Sequence, residues 1–71
     1  MKLHYYLETD SLYIELKAVA GVEVRQIIEG LNADIGADGS VVGLDIDQAS
    51  AKLDISSLEI DGLPIARLKA A

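Results

Sequence analysis

At 71 residues the chain has room for one core and therefore for one domain, spanning 1–71. It has no cysteine and a single histidine, His4, which excludes disulfides, thiolate metal sites and the usual Cys/His structural zinc. Twelve acids against six bases give a net charge of −6, the wrong sign for neutralising nucleic-acid phosphates or an anionic membrane surface.

Two runs rich in Leu, Tyr and Ile open the chain, Lys2–Leu7 and Ser11–Leu16, separated by the short polar link Glu8-Thr9-Asp10. In the second run Leu12, Ile14 and Leu16 share one side while Ser11, Tyr13 and Glu15 share the other. That period of two predicts a half-buried strand, and the pair of runs predicts a hairpin. Tyr6 and Tyr13 are expected to face one another across it as a packing pair. Asp10 suits the turn, because a turn aspartate bonds to the backbone ahead of it, and a structural role is expected for Glu8 as well.

Val22–Ile28 reads as a third strand, with Val22, Val24, Gln26 and Ile28 on one side and Glu23, Arg25 and Ile27 on the other. Gly30 within this pattern predicts a bulge that resets the alternation, so that Leu31, Ala33 and Ile35 point inward. The stretch Leu31–Ile46, LNADIGADGSVVGLDI, is apolar, then turn-forming, then apolar, and so predicts a β-hairpin about its Asp-Gly turn. Leu31, Ala33, Ile35, Val42, Leu44 and Ile46 are its core-facing residues.

The remainder must help to cover the sheet. Ser50 or Asp47 is the expected cap of a short helix over Ala49–Leu53. Leu58-Glu59-Ile60-Asp61 alternates, Gly62-Leu63-Pro64 breaks the pattern, and Ile65–Ala71 reads as either a helical turn or an arm. The fold expected is α+β and mostly β: an antiparallel meander of about four strands with a short C-terminal helical segment or arm.

Tyr5-Tyr6-Leu7-Glu8-Thr9-Asp10-Ser11-Leu12-Tyr13-Ile14 resembles the opening pattern of the bacterial domain of unknown function 2283 family. Asp34–Gly39, then Val41-Val42-Gly43-Leu44-Asp45-Ile46 and Ala49-Ser50, resembles that family's second block. The chain departs from the pattern at Tyr6-Leu7, where the family tends to have Asp-Pro, and at Gly36, where it tends to have Asp. The resemblance implies a small β-rich fold with a short C-terminal helical segment, and it brings no activity or catalytic residues with it. Some relatives look like neighbours of small toxin-like proteins, which implies an antitoxin-like partner role.

Asp34, Gly36, Asp38, Gly39 and Asp45 fall on the spacing of a helix-flanked calcium loop. Glycine at the third ligand position has no side-chain oxygen, and strands rather than helices flank the turn, so no metal site is expected there. The wider acidic set, Asp45, Asp47, Asp54, Glu59 and Asp61, has the residue type needed for paired-carboxylate hydrolysis. A domain this small has little concavity to hold a substrate, and solvated acids explain the set. His4 has no Ser or Cys partner in a recognisable motif, and Tyr5, Tyr6 and Tyr13 read as sheet packing rather than a ligand platform. No catalytic, cofactor-binding or metal residue is assigned.

Half of the composition, 51%, is hydrophobic, without Phe or Trp, so a chain this short is expected to expose apolar surface that becomes an interface. The expected function is that of a non-enzymatic interaction domain, self-associating as a homo-oligomer or binding a protein partner of basic character. The alternative is a small-molecule or metal-ion binding domain using the acidic loops. No apolar run reaches the roughly 20 residues of a membrane span, and Met1-Lys2-Leu3-His4-Tyr5 is no signal sequence, so the cytoplasm is the expected compartment.

Overall fold

Five antiparallel strands and one short helix make up the regular structure of this computed structural model, which describes residues 1–70. The strands are β1 (Lys2–Tyr6), β2 (Ser11–Glu15), β3 (Glu23–Ile28), β4 (Leu31–Ile35) and β5 (Val41–Ile46), followed by α1 (Ala49–Lys52). The expected class, mostly β with a short helix near the C-terminus, is what the chain adopts. The sheet order is β1-β2-β5-β4-β3. Two hairpins, β1–β2 and β4–β5, therefore meet along β2 and β5, and β3 folds back onto the outer side of β4. A meander would keep β2 beside β3; here residues 16–22 carry the chain from one half of the sheet to its far edge.

Register divides the side chains between two faces, since directly opposed residues of an antiparallel pair share a face. Leu3, Ile14, Leu44 and Ala33 lie on one row, and Tyr5, Leu12, Ile46 and Leu31 on the next. This is the apolar face, with Leu31, Ala33, Ile35, Leu44 and Ile46 where alternation predicts them. The opposite face carries the rows His4, Tyr13, Asp45, Asn32 and Gln26, and Lys2, Glu15, Gly43, Asp34 and Val24.

Three local expectations are corrected. The bulge lies at Ile27, between the Gln26–Asn32 and Ile28–Leu31 pairs, while Gly30 occupies the two-residue turn that follows, at φ 80°. Ile28 is thereby switched to the face opposite Val24 and Gln26. Tyr13 faces His4, and Tyr6 faces Ser11, so the two tyrosines are not opposed. The connection of Glu8-Thr9-Asp10 is one residue longer than assumed, because β1 ends at Tyr6. Tyr6 packs instead against His4 on its own strand, with ring centroids 4.2 Å apart.

The buried apolar residues are few: Ala33, Ile35, Val42, Ile46 and Ala49. Residues 53–70 contain no helix or strand, and their side chains are exposed. The expected alternation at Leu58–Asp61 thus forms no strand, and the helical turn expected from Ile65 does not form over Ile65–Ala70. Ala71 of that segment lies outside the described residues.

Candidate functional site

On the polar face Tyr13 reaches across β5. Its hydroxyl donates to Asp34 Oδ2 on β4 at 2.6 Å, although β2 and β4 are not neighbours in the sheet. Gly43 makes this possible. A Cβ at residue 43 would overlap the Tyr13 hydroxyl and lie 2.6 Å from its ring Cζ, so only a bare backbone admits the ring. The bond to Asp34 favours the neutral phenol, and with partial burial and the surrounding acids it pushes the Tyr13 pKa up to about 12. Beside it Asp45 is held above the usual carboxylate range by burial, with the charges of Asp47 and Asp34 adding to the effect.

A second polar junction joins the first hairpin to the helix. Asp10 takes a left-handed conformation, φ 52°, and its carboxylate accepts from Tyr5 Oη (2.7 Å), the Ser50 amide (3.0 Å) and Ser50 Oγ (2.6 Å). Its backbone carbonyl accepts from the Ala49 amide at 2.8 Å. The N-terminus of α1 is therefore capped by a residue from the β1–β2 turn, not by Ser50 or Asp47 as expected; Gln48 precedes the helix and makes no side-chain cap. Hydrogen bonds from Ser50 and then Tyr5 lower the Asp10 pKa. The same bond, with a little burial and the Asp10 charge, raises that of Tyr5.

The other expected acids are dispersed. Asp38 accepts from the Ser40 amide and hydroxyl, which close the β4–β5 turn and lower its pKa. Asp54 accepts from Ser56 Oγ at 2.7 Å, while Glu59 and Asp61 are exposed in the C-terminal segment. Lys52 donates to the carbonyls of Asp47 (2.6 Å) and Gly30 (3.3 Å) and so ties α1 to the β3–β4 turn. Of the calcium-loop positions, Asp34 is engaged with Tyr13 and Asp38 with Ser40. Among the described residues no three His, Asp or Glu side chains are grouped as metal ligands, and no helix is long and apolar enough to cross a membrane. The surface depressions at Tyr5–Thr9 and at Glu29, Gly30, Asp47, Gln48 and Lys52 are open to solvent.

Residues 2–50 match a family model described as a protein of unknown function, DUF2283. The chain belongs to that family. No curated protein and no solved structure matches it. The DUF2283 segment contains all five strands and stops at Ser50, the residue that Asp10 holds. Both blocks that carry the resemblance thus meet at one junction. Sequence reasoning missed Ser50 as the partner of Asp10, since nothing local pairs residues 40 apart. It also passed over Gly43, although an isolated glycine within a strand is the signal of a close approach.

Proposed function

We propose that this DUF2283 chain is a non-enzymatic interaction domain that completes its core against another polypeptide. The observation that supports the reading is its unspent apolar surface. Eighteen large apolar side chains among the described residues are exposed, against the five buried residues of the core, two of them alanines. The accessible surface is 5786 Å², whereas a compact 7.6 kDa monomer has about 4,300 Å². The Cα radius of gyration, 13.0 Å, likewise exceeds the roughly 11 Å of a compact chain of this length. The surplus of about 1,500 Å² is more than the ~800 Å² that one partner contributes to a standard interface.

The acids Glu15, Asp34 and Asp45 on the polar face, with the net charge of −6, favour basic over acidic partners and make an antitoxin-like role one form the interaction can take. The cytoplasm suits a chain without cysteine. Light scattering over a range of concentrations, with binding of a dye that fluoresces on apolar surface, tests the reading. Self-association, or a monomer that binds the dye strongly, is expected. A monomer at high micromolar concentration that leaves the dye dark overturns it, because its apolar surface would then be closed within one chain.

A further inference from the structure

The two edges of the sheet are β1 and β3, and each presents unpaired backbone groups to a further strand. They differ in chemistry. β1, Lys2-Leu3-His4-Tyr5-Tyr6, carries a lysine and no acid, and edge lysine discourages pairing. β3, Glu23-Val24-Arg25-Gln26-Ile27-Ile28, carries one charge of each sign, and its flank is apolar: Val22, Val24, Ile27 and Ile28 are 69%, 68%, 55% and 59% exposed. Glu23 and Arg25 pair with each other at 2.9 Å and are both more than half exposed.

Symmetry limits how β3 can pair with itself. Two identical antiparallel strands in one sheet are related by a two-fold axis perpendicular to it, which must pass between a residue and its own copy. An axis at Glu23 sets Glu against Glu, and one at Arg25 sets Arg against Arg. An axis at Val24 sets Glu23 against Arg25 twice over. It also confines the pairing to Glu23–Arg25, since the Val22 amide already donates to the Ile35 carbonyl at 2.8 Å and the bulge lies beyond Gln26, at Ile27.

We propose that two copies of this chain join edge to edge along β3, with Glu23–Arg25 pairing antiparallel about a two-fold axis at Val24, to make one continuous sheet. This rests on the reading of the chain as an interaction domain and names a second copy as the partner at its β3 edge; the pairing extends the sheet without covering its apolar face. The intrachain Glu23–Arg25 pair gives way to two reciprocal pairs across the axis, and Val24 packs against its own copy. Opposite charges directly across a sheet are favourable and like charges are not, so the register is fixed by the pair.

Charge reversal tests it, in the full chain, by light scattering and sedimentation. The wild type is expected to be a dimer. Glu23→Arg places two arginines opposite two arginines, and Arg25→Glu places two glutamates opposite two glutamates, so each weakens dimerisation by about tenfold or more. A one-to-one mixture of the two variants restores dimers, now mixed, and the double variant E23R/R25E restores homodimers. These last two results keep the test informative should a single variant fold poorly. A wild-type dimer indifferent to the single reversals, or weakened without recovery in the mixture, overturns the β3 interface and leaves self-association by another surface. A monomer that binds the apolar dye overturns the interface and leaves a different partner. A monomer that does not bind it overturns both readings.

Discussion

The Asp10 carboxylate holds both the amide and the hydroxyl of Ser50, 40 residues further along the chain. A four-residue helix has too few internal hydrogen bonds to persist alone, so α1 depends on this contact and on the Ala49 amide bond to the Asp10 carbonyl. Asp10→Ala removes the carboxylate and leaves at φ 52° a residue without the polar side chain by which aspartate tolerates left-handed backbone. Amide exchange at Ala49 and Ser50 is expected to quicken about tenfold or more, with Ala33 and Leu44 in the central strands changing less. Uniform quickening at all four amides would show that the junction is part of the global fold rather than a local latch.

The same junction carries a pH dependence. The folded Asp10 pKa lies below the unfolded value of about 3.9, so folding favours the ionised form. Its contribution is complete above that value and is lost as pH falls through the lower folded pKa. Thermal melts between pH 7 and 2 are expected to show a decline at the acid end that is smaller in Asp10→Asn, which keeps one acceptor oxygen and tolerates the left-handed backbone. Equal declines in both proteins would assign acid sensitivity to other carboxylates.

The local parts of this fold were legible because they depend on neighbours in sequence. The Asp-Gly turn and the alternation about it place Ala33, Ile35, Val42 and Ile46 in the core, where they are buried. A reset of register before β4 was legible too, but Gly30 and Ile27 satisfy the same parity, and only the turn's need for φ 80° at Gly30 separates them. The pairing of β2 with β5 was not legible, because no sequence period links strands thirty residues apart. Separations of 21 and 40 residues likewise hid the candidate site: Tyr13 meets Asp34, and Asp10 meets Ser50, only after β2 and β5 have docked.

Gly43 is a glycine for steric reasons. Gly43→Ala puts a methyl group into the space of the Tyr13 ring and is expected to cost about 1–3 kcal/mol in urea denaturation. In a Tyr13→Ala background most of that penalty disappears, which a double-mutant cycle reads directly. Additive losses would mean that the strand backbone, not the ring, resists the substitution.

Tyr13→Phe removes only the hydroxyl. Asp34 is partly solvated, so the loss is expected at the low end of about 0.5–1.5 kcal/mol at neutral pH. Alkaline titration gives the sharper reading. The folded Tyr13 pKa of about 12 exceeds the unfolded value, so its contribution is full below the latter and is lost as pH rises towards 12. Phenolate absorbance is expected to show a late step near pH 12 that Tyr13→Phe abolishes. A late step that survives in Tyr13→Phe would not be that of Tyr13 and would remove Asp34 as its cause.

Gly39 is a glycine for a different reason. It lies at φ 86° in the β4–β5 turn, and a β-carbon there would touch nothing within 4 Å. The cost of Gly39→Ala is therefore backbone strain alone, about 1 kcal/mol, and Gly39→Asn is expected to cost less because asparagine tolerates left-handed backbone. Since Asp38 is already bonded to Ser40 and Asp34 to Tyr13, calcium has to displace both partners to use this hairpin as a loop. Amide resonances from Asp34 to Asp45 are accordingly expected to stay in place at millimolar calcium in the wild type and in both Gly39 variants. Saturable shifts at Asp34, Asp38 and Asp45 together would turn the hairpin from a folding element into a cation site.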